Sequence, residues 1–298
     1  METRSSRARK GIVLAGGKGT RLYPLTMAGS KQLLPVYDKP MIYYPLSLLM
    51  LAGMREILII SDPVELPRYR ELLGDGARFG VSFSYEEQKA PRGLAEALIL
   101  GRDFLAGSPS CLVLGDNFLY GHDLARFLAE AALEKEGATI FGYRVANPRE
   151  YGVLELDANG AVTGLEEKPA YPRSNFAVPG LYFYDEQAPE LAAGIQASAR
   201  GELEITDLNR AYMKQGRLKA RLLSRGTAWL DMGSFDGLLE AATFVRTIQQ
   251  RQGLKIACLE EIAFLKKWIT QGELEGSLVK MGRNDYSDYL EHLISGRE

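Results

Sequence analysis

Three glycines follow the first strongly apolar run of the chain, in Leu14-Ala-Gly-Gly-Lys-Gly-Thr-Arg-Leu22. Glycine has no side chain, so backbone N–H groups can close on a ligand there, and a helix N-terminus after the loop would favour a phosphate. The spacing can be tested against two common phosphate loops. A P-loop needs Ser or Thr directly after Gly-Lys, but Gly17-Lys18 is followed by Gly19. A dinucleotide fingerprint starting at Gly17 needs glycine at position 22, where Leu22 stands. Neither fits. What remains is a glycine loop holding Lys18, Thr20 and Arg21, with Ser30-Lys31-Gln32 shortly downstream. Glycine turns after strands are often only structural. Arg21 and Lys31, placed near the C-terminal edge of a parallel sheet, favour an anion site, because ligands bind at that edge.

Two carboxylates complete the candidate chemistry. Asp116 follows the apolar run Cys111–Leu114, and Asp231 follows Ala228–Leu230. Such a pair could share Mg²⁺, a hard ion that takes oxygen ligands and leaves room for substrate phosphates. An aspartate after a strand is otherwise a turn residue or a helix cap, and position alone favours that reading for each. Lys168 before Pro169 reads as an exposed strand-end lysine, and Arg200-Gly201 as a loop. His122 reads as a surface or regulatory-pocket residue and not as a catalyst.

The elements that must hold these residues alternate. Gly11–Ala15, Glu56–Ser61, Val81–Tyr85, Cys111–Gly115 and Ala138–Tyr143 read as strands. The first, second and fourth are apolar throughout, as parallel strands covered on both faces should be. Between them Met41–Met54, Leu66–Leu73, Gly93–Leu105 and Asp123–Lys135 have helical spacing, with Pro45 suited to a first turn. The alternation predicts a doubly wound α/β fold. After about residue 150 the strand-like runs crowd together: Gly152–Leu156, Ala161–Glu166, Val178–Tyr184 and Leu218–Leu223, with a hairpin turn at Asp157–Gly160. An antiparallel or mixed extension of one sheet is expected. From Ser234 onward the reading is helical, over Leu238–Gln252, Glu260–Lys267 and Tyr286–Leu293. The expected division is a disordered tail over 1–10, a core over 11–235 and a helical extension over 236–298.

Composition narrows the partners. In 298 residues, 36 Lys and Arg against 38 Asp and Glu leave a formal charge of −2, so no global field draws the chain to nucleic acid or an anionic membrane. The basic start, with Arg4, Arg7, Arg9 and Lys10, lacks the apolar segment of a signal peptide. Met41–Met54 is too short to span a bilayer. Two cysteines, Cys111 and Cys258, are too few for a disulfide framework and fit a reducing cytoplasm. Two histidines exclude a His-rich zinc site.

Leu14–Leu22 resembles the L-A-G-G-x-G-T-R-L signature of the sugar-1-phosphate nucleotidyltransferases. The resemblance continues through Ser30–Pro45, Leu114–Asn117, Tyr120–Asp123, Tyr151–Val153, Leu165–Pro169, Gly180–Asp185, Arg200–Asp207 and Trp229–Asp231. It reaches from Lys10 to Leu290, and Ser30–Pro45 resembles the glucose-1-phosphate thymidylyltransferase branch in particular. It implies a Rossmann-like, mostly parallel mixed sheet, and Mg²⁺-dependent transfer of a thymidylyl group from dTTP to glucose 1-phosphate. It further implies that Leu14, Gly16, Gly17, Thr20 and Arg21 cradle the nucleotide, with Lys31 on its phosphates. Gln32 and Gln88 would reach the base, and Gly93 would lie against it. Asp116 and Asp231 would hold the metal, Asp116 beside the nucleotide. Lys168 and Arg200 would hold the sugar phosphate, Lys168 near the attacking oxygen, with Asn117, Gly152, Glu167 and Val178 around the sugar. The catalytic set so implied is Arg21, Lys31, Lys168 and Arg200. A homotetramer with feedback inhibition by a dTDP-sugar is implied for the C-terminal extension, although helices packing back on their own core explain the same spacing.

Four positions depart from the family pattern. Arg92 stands where an acidic residue is usual, Glu96 for Gln, Pro179 for Thr and Met232 for Thr. The first two lie near the expected base site and the others near the sugar and metal. A UTP-using or broad-specificity enzyme is therefore the alternative within the same chemistry. From another class, a non-catalytic nucleotide-sugar sensor would be expected to have lost one of Arg21, Lys31, Asp116, Lys168 or Asp231. All five are present. An NAD-dependent oxidoreductase is disfavoured by the failed dinucleotide fingerprint.

Overall fold

The computed structural model describes residues 7–17 and 19–296. In chain order the first half holds β1 (Lys10–Leu14), β2 (Pro35–Val36), β3 (Lys39–Pro40), α1 (Tyr43–Leu51), β4 (Glu56–Ser61), α2 (Leu66–Leu73) and β5 (Ser82–Glu87). There follow α3 (Glu96–Leu100), α4 (Arg102–Leu105), β6 (Ser110–Leu114), β7 (Asn117–Tyr120), α5 (Leu124–Leu133) and β8 (Ala138–Arg144). The second half holds β9 (Gly152–Leu156), β10 (Val162–Glu167), β11 (Phe176–Ala177), β12 (Leu181–Tyr184), α6 (Ala188–Ala193), α7 (Ile205–Lys214), β13 (Leu218–Leu222) and β14 (Ala228–Asp231). It closes with α8 (Phe235–Gln252), α9 (Leu259–Leu265), α10 (Gln271–Met281) and α11 (Asp285–Ser295).

One mixed sheet carries the fold, in the order β10-β9-β11-β8-β12-β6-β1-β4-β5, with β13 also paired to β8. The β6-β1-β4-β5 part is parallel. β6, β1 and β4 are the apolar runs of the sequence, and two buried faces need two covers, while β5 at the edge is partly exposed. β12 lies antiparallel between β6 and β8 and joins this part to the antiparallel part. α1 is buried along almost its whole length, with Pro45 in its first turn. A helix apolar all round belongs inside.

Three boundaries differ from the sequence reading. The expected helix over 93–105 is two short helices broken at Gly101. Of the expected strand over 178–184 only β12 (Leu181–Tyr184) is strand; β11 (Phe176–Ala177) precedes that range, and the chain between the two includes Pro179, which has no N–H for a ladder. The tail is also shorter than expected. Lys10 opens β1, and the Arg9 guanidinium donates to the carbonyls of Ser110 (2.6 Å) and Tyr184 (2.7 Å), so Arg9 belongs to the folded body. Residues 1–6 of that tail lie outside the described residues.

The C-terminal helices pack on the core. Leu259, Ala263, Leu274 and Leu290 are buried in one cluster with Val13, Leu49 and Ile57. α8 covers a separate cluster with Met232, Phe118, Tyr44 and Val36. Among the described residues, no helix is long and apolar enough to cross a membrane.

Candidate active site

β1 and β6 are parallel neighbours, with Leu14 opposite Leu114, and Gly115 N donates to Leu14 O at 2.9 Å. The glycine loop and the Asp116 loop therefore leave the sheet side by side at its C-terminal edge. β7, directly after Asp116, pairs antiparallel with β14, setting Asp231 opposite Asn117. Met232 N then donates to Asp116 O at 3.0 Å. Two aspartates 115 positions apart in the chain are brought together by this two-stranded ribbon. They open on a cleft of about 320 Å³ that Thr20, Arg21, Lys31, Glu167 and Lys168 also line.

The two carboxylates are shifted in opposite directions. Burial alone would raise Asp116, but the charge and hydrogen bond of Lys31, helped by Asn117, hold it below the usual carboxylate range. Asp231 moves the other way. Burial, and then the facing charge of Asp116, pushes it up to about 6. Gly233 N supports Asp231 Oδ1 at 3.0 Å. The pair thus repels itself, and the Lys31 ammonium on Asp116 Oδ2 shows where a cation is welcome. Among the described residues, no group of three or more His, Cys, Asp or Glu is placed to hold a metal. Two carboxylates fit a hard ion that keeps waters and takes further oxygens from phosphates.

The opposite wall comes from the antiparallel part of the sheet. Gly152, Glu167, Lys168 and Val178 all line the cleft, as does Asn117, which accepts from Gly180 N (3.0 Å) and Trp229 Nε1 (2.7 Å). Lys168 has φ of 46°, in the left-handed region that a lysine rarely adopts. Such an outlier at a cleft wall is a pointer to function. Thr206 Oγ1 donates to Glu167 Oε2 at 2.6 Å. Arg200 lies outside the lining, tied to Glu204 at 2.8 Å and within 3.8 Å of Glu167 and Glu202. Glu167 lines the cleft, so Arg200 stands at its margin.

At the glycine loop, Gly19, Thr20 and Arg21 line the cleft, whereas Leu14, Gly16, Gly17, Gln32, Gln88 and Gly93 are not among its lining residues. The expected helix N-terminus is absent: the loop runs into a single 3₁₀ turn, Thr20–Leu22. Lys18 lies outside the described residues. Gly93 has φ of 102°, and a Cβ there would strike the Leu203 backbone at 2.5 Å, so packing alone explains this glycine. Met232, expected near the metal, is buried in the α8 cluster and meets the site only through its backbone.

Tyr151, Thr206, Asn209 and Trp229 line the cleft without having been singled out from sequence. Tyr151, Thr206 and Trp229 sit inside matched motifs, which was the available signal. Asn209 lies just beyond one, on α7, and had none.

A model of the nucleotidyl transferase family matches residues 10–248. The glucose-1-phosphate thymidylyltransferase of Xanthomonas campestris pv. campestris is 57% identical over 282 residues, 95% of this chain and 96% of that one. The protein of the same name from Neisseria meningitidis serogroup A is 53% identical over 285 residues, 96% and 99% of the two chains. A solved structure from Bacillus anthracis, described as a candidate glucose-1-phosphate thymidylyltransferase in complex with sucrose, superposes with a TM-score of 0.75. That structure shares 39% identity, over 80% of this chain and 96% of the other.

Proposed function

The chain belongs to the nucleotidyl transferase family, and from that membership we propose that it transfers a thymidylyl group from dTTP to glucose 1-phosphate, giving dTDP-glucose and pyrophosphate. One observation carries the chemistry: Asp116 and Asp231 meet in the same cleft that Arg21, Lys31 and Lys168 line. A phosphate monoester has its second pKa near ~6, so the attacking oxygen arrives already charged at neutral pH. No general base is needed. The protein must align two anions and stabilise the charge that develops between them.

Asp116 and Asp231 would hold Mg²⁺, which when bound supplies positive charge to the phosphate oxygens. Arg21 and Lys31 bind the triphosphate from the glycine-loop side. Lys168 holds the sugar phosphate on the opposite wall, with the attacking oxygen toward the α-phosphorus, and Arg200 assists after leaving Glu204. Asn117, Gly152, Glu167 and Val178 enclose the hexose. Tyr151 and Trp229, whose ring centroids are 4.8 Å apart, line the same cleft.

The test is pyrophosphate release with glucose 1-phosphate, Mg²⁺ and each of dTTP, UTP, CTP, GTP and ATP in turn. Fastest release with dTTP is expected. Fastest release with UTP would reassign the nucleotide, and no release with any of the five would overturn the reading.

The proposal extends to a cytoplasmic homotetramer under feedback by a dTDP-sugar. Exposed apolar side chains on α8, Phe235 and Leu239, support subunit contacts. Sedimentation at micromolar concentration is expected to show a tetramer, and a monomer would refute this part.

A further inference from the structure

Gln88 is held in one orientation. Its backbone N–H donates to Ser61 O at 2.8 Å, and its side-chain Nε2 donates to Glu96 Oε2 at 2.8 Å. A carboxylate accepts hydrogen bonds and has none to give, whereas an amide has both a donor and an acceptor end. The nitrogen must therefore face Glu96, and the carbonyl oxygen must face away from it. That oxygen lies against the glycine loop: a Cβ on Gly16 would stand 2.7 Å from it, so a side chain at this position would collide with it. Gln88 is 6% exposed, and among the described residues its Oε1 accepts no hydrogen bond.

Gln32 meets the same glycine and is locked the opposite way. Its Oε1 accepts from Ser30 Oγ (2.7 Å) and Tyr69 Oη (3.3 Å), and its Nε2 reaches Gly16 O at 3.4 Å. Reversing it would set two acceptor oxygens against each other. The loop is thus flanked by one fixed acceptor, Gln88 Oε1, and one fixed donor, Gln32 Nε2.

We propose that Glu96 is a positioning residue that sets base selection: by fixing the Gln88 amide it presents an acceptor to a pyrimidine 2,4-dione and turns away a 4-aminopyrimidine. This rests on the nucleotidyl-transfer reading for where the base lies. Thymine and uracil carry a ring N–H between two carbonyls, which gives Gln88 a donor and Gln32 an acceptor. Cytosine carries an unprotonated ring nitrogen beside an amino group, so acceptor meets acceptor and donor meets donor. A buried mismatch of that kind is costly, because the polar groups of the site stay unpaired. A glutamine at position 96 would leave the choice open, since its amide can receive either end of Gln88. Glu96 thereby makes the carbonyl the outward end.

UTP and CTP are the same size and differ only at this edge, which makes them the probes. Calorimetric binding of each to the full chain with Mg²⁺, and initial rates with glucose 1-phosphate, would be compared for wild type, Glu96→Gln and Glu96→Ala. Wild type is expected to bind UTP in preference to CTP, and both variants to narrow that ratio about tenfold or more. A merely structural role would weaken both nucleotides alike and leave the ratio where it was. A wild type without the preference, or a ratio unchanged within about twofold in both variants, overturns the proposal. If the preference and its narrowing appear in binding while no sugar phosphate yields pyrophosphate, the transfer reading fails and the assignment of Glu96 stands.

Discussion

Asp116→Asn and Asp231→Asn are each expected to lower pyrophosphate release on the order of a thousandfold. A cation clamped on reacting phosphates contributes several kcal/mol, and each ~1.4 kcal/mol is a factor of ten in rate. Asparagine keeps the shape of the side chain and removes the anionic oxygen that a hard cation requires. Neither change should unfold the protein. Burial still holds Asp231 up in Asp116→Asn, but the second cause, the facing charge, is gone, so the remaining carboxyl moves part of the way back. The substitution also removes the charge that Lys31 pairs with, a mostly buried contact, but leaves the Lys31 ammonium facing the Asp231 carboxylate. Steady-state rates beside thermal melts check both halves: the melting temperature should stay within about 3 °C of wild type. Wild-type turnover in either variant would sink the assignment of the metal.

Arg21→Ala is expected to act mainly on kcat, with a loss of about a hundredfold and a small change in KM. Arg21 is exposed in the 3₁₀ turn that ends the glycine loop, and it lines the cleft. Its guanidinium fork is a fixed donor set for phosphate oxygens that gain charge as the bond to the leaving pyrophosphate breaks. Arg21→Lys keeps the charge without the fork and should fall between alanine and wild type. An effect confined to KM would show that Arg21 serves binding alone.

Much of the site was legible because it lies at strand ends. The apolar runs before Gly16 and before Asp116 announce β1 and β6, and parallel neighbours deliver their following loops to one place. Local sequence does not carry what depends on pairing at a distance. The meeting of Asp231 with Asp116 depends on the β7–β14 ribbon, and the insertion of β12 between β6 and β8 is a choice of sheet order. α6 and α10 were missed because each is short or weakly amphipathic, and their stability comes from packing. α7 was hidden for another reason: its first residues, Ile205 to Asp207, belong to a motif read for its chemistry. Gln88 and Glu96 are eight positions apart, and only the folded chain shows that their side chains are hydrogen-bonded.

The most direct test of transfer by a single displacement is the stereochemistry at the α-phosphorus. dTTP carrying one sulfur on that phosphorus, in one configuration, would be turned over with glucose 1-phosphate and Mg²⁺, and the configuration of the dTDP-glucose product read by phosphorus NMR. Inversion is expected, because the sugar phosphate held by Lys168 attacks directly opposite the leaving pyrophosphate. Retention would contradict it, since two displacements require a nucleotidyl group bound to the protein, for which this cleft assigns no nucleophile.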